Sequence, residues 1–235
     1  FQWRNGKTGG SIKNITSPFT IPEDTAEGYY RFSATDYAGN DTGYYYLYYD
    51  PVLPEGHIRL KDGTELENGA NVNEAFVFDA TDNIGVKEVK VKRPGSADYI
   101  TYTDTMSLTT DGEYSFYCVD TAGNRSETYT VVLDTTPPKL SCSGGSFSGT
   151  TDKTFTVSAS DVSGAALFYK TSEMTSFVRV EDDTYTVNDT SDNGVYWFYA
   201  EDGLGNRSER VWVELKVENP VLEIVRGENN SVYIT

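Results

Sequence analysis

Histidine is almost missing from this chain: His57 stands alone among 235 residues. That excludes a histidine-based catalytic triad and a His-rich metal centre, and His57 itself reads as a surface residue in a loop near a linker. Two cysteines, Cys118 and Cys142, are too few for a disulfide framework and lack zinc-site spacing. Cys118 falls where sister segments carry Ala34 and Ala200, so it reads as a small buried hydrophobe; a bridge to Cys142 stays open. No apolar run reaches the roughly 18 residues of a membrane span, and no stretch reads as a signal peptide. No glycine-rich phosphate loop precedes a helical pattern. Basic residues are scarce, 19 against 36 acids, for a net charge of −17. That balance excludes a nucleic-acid partner, whose phosphates require Lys and Arg. It suits a self-repelling soluble surface, or one that collects cations.

What the chain does have is a phrase said three times. Gly28-Tyr-Tyr-Arg-Phe-Ser-Ala-Thr-Asp36-Tyr-Ala-Gly-Asn40 returns as Gly112-Glu-Tyr-Ser-Phe-Tyr-Cys-Val-Asp120-Thr-Ala-Gly-Asn124. The third copy is Gly194-Val-Tyr-Trp-Phe-Tyr-Ala-Glu-Asp202-Gly-Leu-Gly-Asn206, and successive copies lie 84 and 82 residues apart. That period is one small domain, longer than a solenoid turn of roughly 20 to 50 residues. Alternation within each copy (Tyr30, Phe32, Ala34; Tyr114, Phe116, Cys118) predicts a strand with one apolar face. Asp-x-x-Gly-Asn is turn chemistry, since Asp accepts backbone N–H groups and Gly and Asn tolerate positive φ. A second strand follows each turn, with Tyr45/Leu47/Tyr49, Tyr129/Val131/Leu133 and Val211/Val213/Leu215 facing inward. Each phrase therefore predicts a β-hairpin. Eighteen Tyr and 11 Phe, with no long helical period, place the chain in the all-β class.

Proline marks the joints: Asp50-Pro-Val-Leu-Pro54, Asp134-Thr-Thr-Pro-Pro138 and Glu218-Asn-Pro220. They divide the chain into residues 1–50, the C-terminal half of a repeat; 51–136 and 137–219, two whole repeats; and 220–235, the start of a further repeat or a strand-donating tail. Earlier strands in the whole repeats (Phe76/Phe78/Ala80, then Val86–Lys92; Phe155/Val157/Ala159, then Ala165–Lys170) lead into two shorter strands and the hairpin. About seven short strands with frequent turns predict antiparallel sandwiches of Ig-like topology in an extended array. The partial ends have two explanations. One is the cutting of a longer protein, with signals or anchors outside this segment. The other is strand exchange, with residues 221–235 pairing on the open edge of another chain's first sheet.

The phrases Tyr-x-Phe-x-Ala-x-Asp-x-Ala-Gly-Asn and Asp-Thr-Thr-Pro-Pro resemble the tandem bacterial Ig-like repeats of large surface proteins and adhesins. The resemblance covers essentially the whole chain. It implies Ig-like sandwiches, an extracellular, cell-surface or secreted location, and a stalk, spacer or adhesive role. Similar repeats also accompany secreted glycoside hydrolases. Cys118 departs from the usual small residue, and Lys216 stands where Asp50 and Asp134 predict an acid.

Two constellations could carry function. In an Ig-like sandwich the B–C and F–G loops share the end where the chain enters. Asp50, Asp82 and Asp120 should therefore converge at one joint, and Asp134, Asp161 and Asp202 at the next. Hard oxygen ligands of this kind suit Ca²⁺, and the resemblance adds that related repeats use interdomain calcium for stiffness. The competing reading is that these Asp residues only hold their own turns. The second constellation is aromatic: Tyr44, Tyr46 and Tyr48, and Trp197, Tyr199 and Trp212, are expected on outward faces, where flat rings stack on sugars. Against this, Lys and Arg stems or neighbouring strands could cover them.

Catalysis has no support here. Paired carboxylates alone could serve a glycosidase, but among 36 acids their proximity in sequence says nothing. The expected role is a non-catalytic spacer or stalk, in some settings adhesive, whose partners are neighbouring domains of the same protein. The alternatives are a glycan- or host-ligand-binding module working through exposed aromatics, and an accessory region of a glycoside hydrolase.

Overall fold

A computed structural model describes residues 2–6, 12–22, 24–218, 224–226 and 232–234. Most of the 220–235 segment, and with it the strand-donation expectation, lies outside the described residues. The chain forms two compact units, Phe1–Leu133 and Asp134–Thr235. No helix occurs among the described residues, and the fold is all-β.

The first unit opens with β1 (Gln2–Asn5), β2 (Ile12–Asn14), β3 (Gly28–Ser33) and β4 (Tyr45–Tyr49). They form one antiparallel sheet in the order β2-β1-β3-β4. Then come β5 (Glu55–Leu60), β6 (Glu65–Leu66), β7 (Ala70–Val72), β8 (Phe76–Thr81), β9 (Val86–Lys92), β10 (Ile100–Thr101), β11 (Gly112–Asp120) and β12 (Tyr129–Leu133). These make a sandwich of two sheets, β6-β5-β8 and β10-β9-β11-β12-β7. The alternation read from sequence sets the inner faces: Ile58, Phe76 and Phe78 meet Tyr114, Phe116, Val131 and Leu133 in one buried cluster. Phe78 and Phe116 stack with centroids 4.5 Å apart.

The second unit repeats the plan with β13 (Lys139–Ser143), β14 (Gly149–Thr151), β15 (Phe155–Ser160), β16 (Ala166–Thr171), β17 (Val178–Arg179), β18 (Thr184–Val187), β19 (Gly194–Glu201) and β20 (Val211–Leu215). Its sheets are β13-β15-β18 and β14-β20-β19-β16-β17. Phe155, Val157, Leu167, Phe198, Val213 and Leu215 fill its core. A last hairpin joins β21 (Ile224–Arg226) to β22 (Val232–Ile234).

Both sandwiches run the same way. The hairpins β11–β12 and β19–β20 are antiparallel, and a short strand, β7 or β14, adds in parallel to the hairpin's second strand. A tyrosine near the start of each repeated strand bonds the backbone four residues upstream, the corner that marks strand F of Ig-like sandwiches. Tyr30 Oη donates to the Ala26 carbonyl at 2.6 Å and Tyr196 Oη to that of Asp192 at 2.9 Å. At the third corner Tyr114 Oη accepts from Thr110 N at 3.0 Å.

The structure corrects three expectations. His57 is on β5, not in a loop, with its ring nitrogens 2.9 Å from Glu65 Oε1 and 3.1 Å from Thr81 Oγ1. Tyr45 and Leu47, expected inward, are 68% and 43% exposed. Among the described residues no second sheet pairs with β1–β4, so neither face of β4 has become a core. The two shorter strands expected before each hairpin exist in the second unit as β17 and β18. In the first unit only β10 forms, and Tyr102 and Leu108 of the irregular stretch after it are buried in the core instead. Cys118 is fully buried, as expected for a small hydrophobe, and both thiols are free.

Candidate functional site

The turn after β11 is built around one carboxylate. Asp120 Oδ1 accepts from Gly123 N at 2.6 Å and Asn124 N at 2.7 Å, while Oδ2 accepts from the Asn124 amide at 2.7 Å. Gly123 sits at φ +97°, a conformation only glycine adopts without strain. The same Asn124 amide reaches into the segment entering the sandwich, donating to the Asp50 carbonyl at 2.9 Å and the Val52 carbonyl at 3.1 Å. The turn after β8 repeats the device: Asp82 Oδ2 accepts from Ile84 N and Gly85 N, both at 2.8 Å. Asp50 Oδ1 accepts from Val52 N at 3.0 Å.

These turns bring three carboxylates together. One oxygen from each of Asp50, Asp82 and Asp120 lies within 4.8 Å of the others. Asp50 is 4% exposed and Asp120 fully buried. Of the six oxygens on these three carboxylates, Asp50 Oδ2 and Asp82 Oδ1 are buried with no hydrogen-bond partner. A buried carboxylate oxygen without a partner carries an uncompensated desolvation cost, and three like charges at this range repel. A divalent cation relieves both. Oxygens sharing one Ca²⁺ at 2.3–2.6 Å lie at most about 5 Å apart, so the observed clustering fits that ion.

The second unit builds a homologous group. Asp134, Asp161 and Asp202 also place one oxygen each within 4.8 Å. Asp202 Oδ1 accepts from Leu204 N at 2.8 Å and Asn206 N at 2.9 Å. The Asn206 amide bonds Asp202 Oδ2 at 2.7 Å and the Asp134 carbonyl at 2.8 Å. Burial pushes the Asp202 carboxyl up. The bonds from the Asn206 side chain and from the backbone of Asn206, Leu204 and Gly205 together outweigh it and hold its pKa below the usual value. Here Asp134 is half-buried where Asp50 is buried, and Asp161 is half-buried as Asp82 is. The Ser163 hydroxyl lies 2.8 Å from Asp161 Oδ1 and 3.5 Å from Asp202 Oδ2.

The aromatic residues separate into two situations. Tyr44, just before β4, and Tyr46, on it, are 55% and 57% exposed, with Arg31 over the Tyr44 ring at 4.6 Å. Tyr48 is half-buried, edge-on to Tyr29 and bonded through its hydroxyl to Glu27 at 2.5 Å. On the second sandwich Trp197, Tyr199 and Trp212 are half-buried. Tyr199 stacks on Phe168 at 4.8 Å with Arg207 over its ring, and Lys170 lies over Trp197. That face is partly covered by cationic stems, the competing outcome weighed above.

No family model matches the sequence, and no curated protein does. Solved structures match by shape alone. One set is the fibronectin(III)-like modules of Clostridium thermocellum CbhA, with 14% identity and TM-score 0.30, covering 68% of this chain and 94% of that one. Another is the three N-terminal domains of the bacteriophage RB49 outer capsid protein Hoc, with 8% identity, TM-score 0.39, and coverage of 93% and 88%. A third is the four N-terminal Ig domains of Dscam1, with 10% identity, TM-score 0.36, and coverage of 92% and 64%.

Reading the sequence found all six clustered carboxylates but missed what ties them down. As turn residues Asn124 and Asn206 need only tolerate positive φ, and that role does not reveal the bonds their amides make. Their signal was the constant four-residue step from Asp to Asn, which sets the amide against the carboxylate. Ser163 was missed because Ile84 holds the corresponding position in the other repeat.

Proposed function

We propose that this chain is a non-catalytic structural spacer of an extracellular protein, cell-surface or secreted, whose sandwiches are stiffened where each chain segment enters by a bound divalent cation, Ca²⁺ by its oxygen chemistry. The observation that carries this reading is the pair of orphaned, buried carboxylate oxygens of Asp50 and Asp82 beside Asp120. Each triad joins the entering segment to both turns at that end of the sandwich. A cation there would convert three repelling acids into a crosslink, using Asp50, Asp82 and Asp120 in one unit and Asp134, Asp161 and Asp202 in the other. Nothing in that arrangement resembles a nucleophile with its base, and the lone histidine is engaged with Glu65 and Thr81.

The test is thermal unfolding in excess EDTA and then in millimolar Ca²⁺. Binding to the folded state alone adds about 2.7 kcal/mol at a hundredfold excess over Kd. A clear rise in Tm that Asp120→Ala and Asp202→Ala abolish supports the reading; identical curves in both buffers reject the cation.

The open β4 strip favours a second reading, a glycan- or protein-binding face. Tyr44, just before β4, and Tyr46, on it, present exposed rings with centroids 6.5 Å apart, suited to stacking on sugars. Saturable binding on a glycan array, lost in a Tyr44→Ala/Tyr46→Ala double variant, would favour it over the spacer; a blank array would remove it.

A further inference from the structure

The two triads share a backbone plan but differ in what satisfies their oxygens. In the first, Asp50 Oδ2 and Asp82 Oδ1 are buried without a partner. In the second, among the described residues, no carboxylate oxygen is left in that state. The sequence also differs at this turn. The turn Asp82-Asn-Ile-Gly85 corresponds to Asp161-Val-Ser-Gly164, so Ser163 stands where the first unit has Ile84. The Ser163 hydroxyl sits against Asp161 Oδ1 and near Asp202 Oδ2. Both oxygens already accept other donors, Ser163 N on Asp161 Oδ1 and the Asn206 amide on Asp202 Oδ2, so the hydroxyl is an additional donor that Ile84 cannot supply. Burial differs in the same direction. Asp50 is 4% exposed, whereas its counterpart Asp134 is half-buried and open to water.

From this asymmetry we infer that the two triads are unequal cation sites, with Asp50/Asp82/Asp120 filling first and Asp134/Asp161/Asp202 filling only at higher Ca²⁺. The inference rests on the cation reading proposed above. The two orphaned oxygens of the first triad are closed off from solvent and from protein donors, so a cation bound there relieves their desolvation cost. In the second triad it must compete with solvent and with Ser163. Relieving one orphaned buried oxygen is equivalent to a factor of roughly ten in affinity. The chain would then respond to calcium in two steps, its first unit stiffened at low concentration and its second only later.

The experiment is a Ca²⁺ titration of the full chain read by native mass spectrometry, repeated with Asp50→Asn and with Asp134→Asn. Circular dichroism of each variant in EDTA checks that it folds. The expected result is a one-ion species dominating before the two-ion species, by roughly tenfold in concentration. Asp50→Asn should remove that first, tight step, and Asp134→Asn should remove only the weak one. Two ions binding with equal affinity, or a first ion lost in Asp134→Asn and kept in Asp50→Asn, overturns the inequality while leaving the cation reading intact. No ion bound at millimolar Ca²⁺ overturns both. If one variant fails to fold, wild-type stoichiometry against Ca²⁺ still tests the inequality, because equal sites give a statistical distribution of species, and the other variant assigns the tight site by losing or keeping the first step.

Discussion

Asn124 and Asp50, 74 residues apart, are joined by a hydrogen bond of 2.9 Å from the Asn124 amide to the Asp50 carbonyl. The same amide holds Asp120 Oδ2 and the Val52 carbonyl. One side chain thus fastens the entering segment to the turn that carries the most buried acid of the triad. Replacing Asn124 with Ala removes three acceptor contacts and strands partly buried oxygens. It should cost about 1–3 kcal/mol, read as a lower urea midpoint in EDTA. Asn206→Ala should do the same in the second unit, where the corresponding bonds run to Asp134 and Asp202.

The convergence of these acids was legible because two periodicities agreed. Strand alternation fixed which side chains face the core, and the constant Asp-to-Asn step fixed the turn. Together with sandwich topology they bring loops distant in sequence to one end. Three features were not legible, for different reasons. The exposure of Tyr45 and Leu47 depends on whether a second layer covers their sheet, and alternation alone cannot tell a filled inner face from an open one. The unequal burial of the triads depends on how each entering segment packs, Asp50 at 4% exposure against a half-buried Asp134, and no residue pattern records that. The tyrosine corners are not legible from alternation, because Tyr30, Tyr114 and Tyr196 fit the inward strand pattern by their rings, and the pattern carries no information about where a hydroxyl bonds.

The corners make a separate prediction. Tyr114→Phe keeps the ring among Phe76 and Phe116 and loses only the bond to Thr110 N. Tyr196→Phe loses only the bond to the Asp192 carbonyl. Each should lower stability by about 0.5–1.5 kcal/mol in urea denaturation, with an unchanged far-ultraviolet spectrum.

Gly56 tests the packing of the first sandwich. A Cβ there would stand 2.7 Å from Tyr129 Cε2 and run into the Phe78 ring. Phe78 is 2% exposed and stacked on Phe116, so its ring cannot retreat without repacking the core. Gly56→Ala should therefore destabilise by about 1–3 kcal/mol. Gly145→Ala, whose Cβ would find its nearest neighbours at 3.5 Å, is the control and should be close to neutral by the same denaturation measurement.

Acid should weaken the repeated turn. Asp36 is held below its usual pKa of 3.8, mainly by the Asn40 side chain and backbone. Asp202 is likewise held low, the hydrogen bonds of its turn exceeding the opposing effect of burial. A carboxyl with a depressed folded pKa adds stability that is fully present above its unfolded value and is lost as pH falls through the folded one. Thermal melts in EDTA should therefore be flat above about pH 5 and fall progressively below about pH 4. Asn206→Ala removes the side-chain donor to Asp202. Its Tm should start lower and fall less steeply over the same range.

At the alkaline end the informative residue is Tyr48. Its bond to Glu27 disfavours the phenolate, because a second negative charge would face the carboxylate and the donated proton would be lost. With smaller effects from desolvation and the charges of Glu27 and Asp50, this pushes its pKa up to about 12 from 10.0. The raised pKa stabilises the fold below pH 10, and that contribution is lost as pH rises from the unfolded value toward the folded one. A difference titration at 295 nm between wild type and Tyr48→Phe should show a phenol ionising near pH 12. In the Glu27→Gln background it should move back toward 10, since a neutral amide still accepts the hydrogen bond but no longer repels the phenolate. An ionisation near 10 in both backgrounds would mean that the Tyr48–Glu27 bond does not persist in solution, and that this hydroxyl is free to engage a ligand on the β4 face.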